Sequence, residues 1–213
     1  MPVAVDRYEL GPIETNCYVV RADRGAPEAV VIDPGADAAR LRLELARMGA
    51  RCAAILVTHT HWDHLGGVAD LAEDTGAEVY APAAEAQVLE RPDDFYAALG
   101  VSIRPHVPEH RLQGGEELDL ASITFEVSSV PGHSPGHIAF YTDGCLFSGD
   151  VLFAGSVGRV DLPGSSWDAL IDSIRALSER YPPGTIVYSG HGPETTLGAE
   201  LARNPFLGEL RTS

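Results

Sequence analysis

Cysteine, basic residues and long hydrophobic runs are scarce in this chain of 213 residues, and each shortage excludes a class of protein. Three cysteines that lie far apart in the sequence cannot form a disulfide framework, so we expect reduced thiols and a cytoplasmic protein. The longest apolar run, residues 52–57, is far shorter than the roughly 20 residues that span a membrane. The first residues also lack the basic and apolar pattern of a secretory signal.

The charge balance is strongly acidic. Lys and Arg together number 15 against 31 Asp and Glu, which gives a formal net charge of −16. Nucleic acids and anionic membranes need a basic surface, so we expect the protein to bind neither. Hydrophobic residues make up 45% and charged residues 22%, as in ordinary globular proteins, and the length predicts a single domain over residues 1–213. The sequence leaves the oligomeric state open.

Strand and helix patterns alternate along the chain, which predicts one α/β domain. The predicted strands are residues 17–20, 29–32, 53–57, 123–130, 138–142, 145–148 and 186–188. The predicted helices are residues 37–48, 68–75, 167–181 and 194–203. The dipeptide Asp143-Gly144 predicts a hairpin between two of these strands. Residues 91–113 contain three prolines and are predicted to be a long irregular segment, with a lid over a site as one interpretation.

Histidine and aspartate follow the predicted strands at four places. These residues are His59, His61, Asp63 and His64 after the strand that ends at Val57, then His133, Asp150 and His191 after three later strands. Side chains at strand ends stand on a rigid sheet yet protrude from it, as a metal site requires. In a two-sheet packing, these strand ends can meet at one rim.

The segment His59-x-His61-x-Asp63-His64 is the most specific of these patterns, since chance would give it on the order of once in a thousand such chains. Residues two apart on a helix point away from each other, so a loop after a strand is the better setting. From this spacing we expect His59, His61 and Asp63 to point one way and His64 to turn to another ion. The alternative is a solvated polar loop that holds no metal.

Several motifs together resemble the metallo-β-lactamase-fold superfamily, in its short glyoxalase II-like branch. They are GPIETNCY (11–18), VIDPG (31–35), THTHWDHLGG (58–67), PGHSPGH (131–137), FSGDVLFAGSVG (147–158) and SGHG (189–192). The resemblance covers nearly the whole chain. It implies a four-layer αββα sandwich with the site along one edge of the two sheets.

The resemblance also implies a set of metal ligands. By it, His59, His61 and His133 hold one metal ion, Asp63, His64 and His191 hold a second, and Asp150 bridges the two. It places His137 outside the ligand set. Asp33 takes the position of a supporting acid, although an ordinary residue of an Asp-Pro-Gly turn is an equal alternative.

The function that the resemblance implies is metal-dependent hydrolysis of a small thioester, such as a hydroxyacyl-thiol, by hydroxide generated at two divalent ions. Zn²⁺ is the expected ion, and Fe and Mn also suit these ligands. Asp63 and Asp150 would orient the ions and the water. One alternative is a persulfide dioxygenase that uses a single iron on His59, His133 and Asp150. Another is a metal-holding scaffold without catalysis.

Substrate contacts are less defined. The resemblance implies that Arg159 contacts the substrate, and the alternative is a salt bridge to Asp161. From the resemblance, we expect most of the C-terminal helical region with which glyoxalase II contacts glutathione to have no counterpart here, so the thiol carrier stays open. We further predict that Trp62 packs so as to fix the loop of the metal motif, that Phe206 packs against the core, and that His106 and His110 are loop residues outside the site.

Overall fold

A computed structural model describes residues 3–211, which form two six-stranded sheets. The first half of the chain supplies strands β1 (Ala4–Leu10), β2 (Thr15–Arg21), β3 (Glu28–Ile32), β4 (Arg51–Leu56), β5 (Glu78–Pro82) and β6 (His110–Leu112). The second half supplies β7 (Glu117–Leu120), β8 (Ile123–Ser129), β9 (Ile138–Thr142), β10 (Cys145–Gly149), the small hairpin of β11 (Leu152–Phe153) and β12 (Ser156–Val157), β13 (Ile186–Ser189) and β14 (Thr195–Thr196).

The helices lie between these strands in sequence. They are α1 (Ala38–Met48), α2 (Trp62–Leu65), α3 (Val68–Thr75), α4 (Ala86–Glu90), α5 (Asp93–Tyr96), α6 (Trp167–Arg180) and α7 (Leu197–Arg203), with 3-10 helices at Ala97–Leu99 and Pro205–Arg211. The predicted helix over residues 68–75 is confirmed to the residue, and the one over 167–181 differs by one residue. No helix in residues 3–211 has the length and apolar character needed to cross a membrane.

The first sheet has the order β1-β2-β3-β4-β5-β6, and the second has the order β14-β13-β10-β9-β8-β7. Strands β3 to β6 run parallel, and so do β10 and β13, whereas the remaining neighbours are antiparallel. The hairpin at Asp143-Gly144 is confirmed, with φ of 45° and 81° at the two turn residues. Positive φ at both positions matches the twist of the flanking strands.

Alternation along the strands divides the apolar side chains among three cores. Val19 and Val31 face helices α1 and α3, whereas their neighbours Val20 and Val30 face the second sheet. The second sheet buries its other face against α6, with Leu146 among the residues in contact. The two sheets pack face to face, and helices cover the outer face of each sheet. This arrangement confirms the predicted four-layer αββα sandwich.

The predicted irregular segment 91–113 is wrong in part, because it contains α5, a 3-10 helix and the edge strand β6. Strand β6 pairs with β5, and such pairing depends on tertiary contacts that a three-residue run does not reveal. The predicted start of the last helix at residue 194 is also wrong, since β14 precedes it. Phe206 is 47% exposed and contacts Trp167, while Leu207 is fully buried in its place. Phe206 therefore does not pack against the core as predicted.

Both sheets end at a common edge, and backbone hydrogen bonds cross between them there. The amide of Ile138 donates to the carbonyl of Thr58 at 2.9 Å, and the amide of Asn16 donates to the carbonyl of Gly190 at 2.7 Å. The loops that follow β4, β8, β10 and β13 all leave the sandwich at this edge. They carry the histidines and aspartates that are predicted to bind metal.

Candidate metal centre

Three histidine rings converge at one side of this edge. His59 and His61 follow β4, and His133 follows β8. Nδ1 of His61 lies 3.0 Å from Nε2 of His59 and 2.8 Å from Nε2 of His133. Three ring nitrogens that face one point, two of them on fully or nearly fully buried residues, form a set of ligands that suits a metal ion.

A second cluster adjoins the first. It consists of Asp63, His64 and His191, whose ligand atoms lie within 4.8 Å of one another. Nε2 of His64 lies 3.4 Å, and Nε2 of His191 3.3 Å, from Oδ2 of Asp63. Asp63 and His64 both stand on the short helix α2, which begins at Trp62. The expectation from spacing that Asp63 points with His59 and His61 is therefore wrong, because the chain turns helical after His61.

Asp150 lies between the two clusters. Its Oδ2 is 3.5 Å from Nε2 of His133 on one side and 3.7 Å from Nε2 of His191 on the other. Its Oδ1 is 3.5 Å from Nε2 of His64. The carboxylate thus faces ligand atoms of both clusters, as the bridging position implied by the resemblance requires.

Two buried atoms at the centre of the site lack hydrogen-bond partners within the described residues. They are Nε2 of His64 and Oδ1 of Asp150. An unpartnered polar atom in the interior costs about 1–3 kcal/mol, so such atoms need a physical explanation. A bound cation would satisfy both atoms at once. Imidazole nitrogens with carboxylate oxygens suit Zn, Fe or Mn, so the residues fit the expected metal ions.

The protonation of the three-histidine cluster is set by burial. Burial, followed by the positive charges that His64 and the other site histidines would carry, lowers the pKa of His59 well below its usual value. Burial and the neighbouring His133 lower the pKa of His61 to about 4. Neutral imidazoles are the form that binds metal, so His59 and His61 can bind metal at neutral pH without losing a proton.

The second cluster is dominated by carboxylates. Burial would raise the pKa of Asp63, but the hydrogen bond from His191 and the charge of His64 lower it to about 2. Burial would lower the pKa of His64, but the carboxylates of Asp150 and Asp33 outweigh it and raise that pKa well above its usual value. A cation bound here would take the place of the His64 proton.

Surrounding residues orient the ligands. Asp33 is buried, and its carboxylate accepts hydrogen bonds from His64 Nδ1 at 3.0 Å and from the amide and hydroxyl of Thr58 at 2.8 and 2.7 Å. The hydroxyl of Thr15 donates to Asp63 Oδ2 at 2.8 Å. Because the carboxylate of Asp33 can only accept, His64 keeps a proton on Nδ1 and directs Nε2 into the site, where a cation would replace the second proton.

His137 supports the site from behind. Its ring stacks on His59 with centroids 4.5 Å apart, and its Nε2 accepts a hydrogen bond from the amide of Asp150 at 3.1 Å. It belongs to none of the three groups of ligand atoms found in residues 3–211. Gly190 is required by close approach, because a Cβ there would lie 2.1 Å from Asp150 Oδ1.

Arg159 is placed differently from the ligands. Its guanidinium pairs with Asp161 through two hydrogen bonds of 2.6 and 2.7 Å and is largely exposed. Its backbone carbonyl accepts a hydrogen bond from Nδ1 of His133 at 2.9 Å, which fixes that ring. The prediction that the side chain contacts the substrate stays a prediction.

The remaining predicted residues lie outside the site. Trp62 packs against the helix-side core, which confirms a packing role for this side chain. His106 is paired with Glu109. His110 pairs with Glu78 at 2.9 Å and is part of β6, so the prediction that it is a loop residue is wrong. The orienting role of Thr15 was missed, although it lies within the GPIETNCY motif. A hydroxyl that reaches another loop has no signature in one sequence.

Comparisons with known proteins give a family match and several similar proteins. The sequence profile of the Metallo-beta-lactamase superfamily matches residues 10–191. The probable metallo-hydrolase YqgX of Bacillus subtilis is 33% identical over 205 residues, which cover 94% of this chain and 96% of the relative. The hydroxyacylglutathione hydrolase GloC of Haemophilus influenzae is 35% identical over 199 residues, which cover 91% of this chain and 93% of the relative.

Solved structures show the same relationship. The BLEG-1 B3 metallo-beta-lactamase superposes with a TM-score of 0.90 at 40% identity, covering 96% of this chain and 100% of that one. TTHA1623, solved in a di-iron-bound form, superposes with a TM-score of 0.84 at 42% identity, covering 95% and 100%. ETHE1 from Myxococcus xanthus, at 24% identity, has a TM-score of 0.81 over 96% of this chain and 85% of that one, and shares the fold.

Proposed function

Because the chain belongs to the Metallo-beta-lactamase superfamily, we propose that it is a metal-dependent hydrolase that binds two divalent ions and cleaves a small thioester. One observation supports two ions above all others: the carboxylate of Asp150 lies between two clusters of ligand atoms, 3.5 Å from His133 and 3.7 Å from His191. The likeness to GloC, whose name gives it as a hydroxyacylglutathione hydrolase, supports the thioester class. The di-iron form of TTHA1623 supports a centre with two metals.

When bound, two divalent ions supply a nucleophile at neutral pH by lowering the pKa of water to about 7, and they polarise the carbonyl of the substrate. The protein holds the ligands in place for this chemistry. Asp63 and Asp150 orient the centre, while Thr15 and Asp33 fix the rotamers of Asp63 and His64. A thiolate leaves readily, since its conjugate acid has a pKa of about 8.5, so the site needs no strong general acid.

Arg159 is proposed as the contact for an anionic group of the thiol carrier. Its guanidinium is exposed and held in place by Asp161, so it can meet a ligand without reorganisation of the backbone. We expect Arg159→Ala to raise KM about two- to fivefold, as for other exposed charge pairs, with kcat and metal content unchanged. A KM equal to that of the wild type across anionic thioesters would remove this contact from the proposal.

The decisive experiment measures hydrolysis of a panel of acyl-thiol esters by protein loaded with Zn²⁺, Fe²⁺ or Mn²⁺. We expect metal-dependent hydrolysis that His61→Ala abolishes, because His61 stands at the centre of the three-histidine cluster. The matched control is His110→Ala, which removes a histidine of β6 that belongs to none of the ligand groups. Failure of every metal form to cleave any member of the panel would reject the thioester proposal.

A dioxygenase with one iron is the second candidate. His59, His133 and Asp150 are the residues that such a site would use, and Nε2 of His133 lies 3.5 Å from Asp150 Oδ2. Oxygen uptake with glutathione persulfide, with one iron per chain, would establish this function instead. Two metals per chain without oxygen uptake would exclude it.

The proposed substrate is a small molecule, and the proposed compartment is the cytoplasm. The net charge of −16 opposes binding to nucleic acid and to anionic membranes, and all three cysteines are buried as free thiols. We therefore expect no retention on DNA or on anionic lipid vesicles at physiological salt. Retention that falls steeply with added salt would contradict this part of the proposal.

A further inference from the structure

Glu85 is a buried carboxylate that the proposed hydrolysis does not use. It lies between β5 and α4 and is 6% exposed. In residues 3–211, its hydrogen-bond partners include no basic side chain. Burying a carboxylate without a cationic partner is unfavourable unless several donors satisfy it, so its position calls for an explanation.

The donors to Glu85 come from two different loops. Its Oε2 accepts hydrogen bonds from the amide and the hydroxyl of Thr60, both at 3.0 Å. Its Oε1 accepts a hydrogen bond of 2.7 Å from the amide of Gly136. Thr60 stands between His59 and His61, and Gly136 follows His133 by three residues. One carboxylate therefore joins the two loops that carry the three-histidine cluster.

Neighbouring residues hold this contact between Glu85 and the two loops rigid. The carbonyl of Thr60 accepts a hydrogen bond of 2.6 Å from the hydroxyl of Tyr96, so the peptide groups on both sides of Thr60 are fixed. A Cβ at Gly136 would lie 2.8 Å from Cγ of Glu85 and 2.9 Å from Cβ of Ala84. Because glycine has no Cβ, the loop that carries His133 can pack directly against Glu85.

We propose that Glu85 is a positioning residue that sets the distance between the two loops and thereby determines how tightly the cluster of His59, His61 and His133 binds a metal ion. Glu85 acts through Thr60 and Gly136 and does not touch the ion. Outer partners of metal ligands typically contribute tenfold to hundredfold in metal affinity. The proposal rests on the metal centre proposed above and is independent of the substrate.

The test is a chelator competition with metal-stripped protein, titrated with Zn²⁺ and Co²⁺ without substrate. Glu85→Gln keeps the shape but sets an amide donor against the N–H of either Thr60 or Gly136. We expect one of two ions to bind about tenfold to hundredfold more weakly, with the other ion unchanged. Thermal unfolding of the metal-free protein is measured in parallel.

Glu200 provides a matched control. It is 5% exposed, and it also accepts three hydrogen bonds, from Thr195, Gly155 and Asn204. We expect Glu200→Gln to lower the melting temperature while both ions bind as in the wild type. If Glu85→Gln weakens neither ion more than Glu200→Gln does, the carboxylate is merely structural and the proposal is overturned.

A double-mutant cycle identifies the cluster concerned. His61→Ala removes a ligand of the three-histidine cluster, so adding Glu85→Gln to it should weaken metal binding little further. Full additivity of the two losses would overturn the assignment. If Glu85→Gln does not fold, the same titration is made with Thr60→Val, which lacks the hydroxyl that donates to Glu85, and with Thr60→Ser, which keeps it. Weaker metal binding in Thr60→Val alone supports the role of Glu85. Metal affinities that do not differ between the two variants overturn it.

The outcomes separate this proposal from the proposed function. Absence of thioester hydrolysis leaves the metal titration unaffected. If the wild type binds a single ion, the two-ion part of the proposed function fails, and the effect of Glu85→Gln is then measured on that ion.

Discussion

Replacement of Asp33 by Asn tests whether a residue outside the ligand set controls the ring of His64. The carboxylate of Asp33 accepts from the amide of Thr58 through Oδ1 and from His64 Nδ1 through Oδ2. In the variant, the amide oxygen must face the Thr58 N–H, because two donors would otherwise meet in the interior. The amide nitrogen then faces His64 Nδ1, which must become an acceptor.

The consequence is a switched tautomer. His64 would carry its proton on Nε2, the atom that faces Asp63 and Asp150. A cation that displaces this proton would force a proton onto Nδ1 against the amide donor of the variant, whereas Asp33 of the wild type accepts from Nδ1. We expect one ion to bind about tenfold to hundredfold more weakly, which corresponds to about 1.4–2.7 kcal/mol. Loss of the charged hydrogen bond between His64 and Asp33 should also lower the free energy of unfolding of the metal-free protein by about 1.5–3 kcal/mol.

Chelator competition measures the affinity, and long-range proton–nitrogen NMR of the Zn²⁺-loaded protein reports which nitrogen of His64 is protonated. Asp6→Asn is the control, since Asp6 also accepts from a buried basic side chain, that of Arg21, but lies outside the site. Wild-type affinity for both ions in Asp33→Asn would refute the tautomer argument. Equal loss of affinity in Asp6→Asn would show that general destabilisation is the cause.

Three further predictions follow from packing and burial. Gly190→Ala places a Cβ 2.1 Å from a candidate ligand oxygen and should reduce metal content, whereas Gly184→Ala, with open space around it, should leave metal content unchanged by elemental analysis. Burial raises the pKa of the Cys52 thiol from 9.0 to about 12, so alkylation of this thiol at pH 8 should require unfolding. Because the thiol ionises at lower pH in the unfolded chain, the free energy of unfolding should fall as the pH rises from about 9 towards 12. Rapid labelling of Cys52 in the native protein would contradict this prediction. Leu207→Ala should lower the free energy of unfolding by about 2–5 kcal/mol and Phe206→Ala by far less, and denaturant titrations that reverse this order would contradict the packing of the C-terminal segment.

The parts of the fold that could be predicted were those whose signal is local. The predicted strand over residues 53–57 is a continuous apolar run, and in the structure Ile55 and Leu56 of β4 face different cores. The turn at Asp143-Gly144 is encoded by two residues that tolerate positive φ. Strand β6 and the exposure of Phe206 depend on neighbours distant in sequence, so no local pattern revealed them.

The candidate site divides in the same way. His59, His61 and His64 stand in one short segment with a distinctive spacing, and the family resemblance places His133, Asp150 and His191 beside them. The direction of Asp63 could not be read from spacing, because the chain changes from extended to helical at Trp62. Glu85 had no signal at all, since a single glutamate after a strand resembles any surface residue.

The hydrogen bonds that cross the sandwich edge have a consequence for folding. The first half of the chain contributes His59, His61, Asp63 and His64, and the second half contributes His133, Asp150 and His191. Cations bound at this edge would hold the two halves of the chain together. Tight metal binding can therefore arise only late in folding, after the two halves have docked. Each ion then adds RT ln(1 + [M]/Kd) to the resistance against their separation. Removal of metal would therefore weaken the contacts between the two sheets at this edge first, before the outer helices are affected.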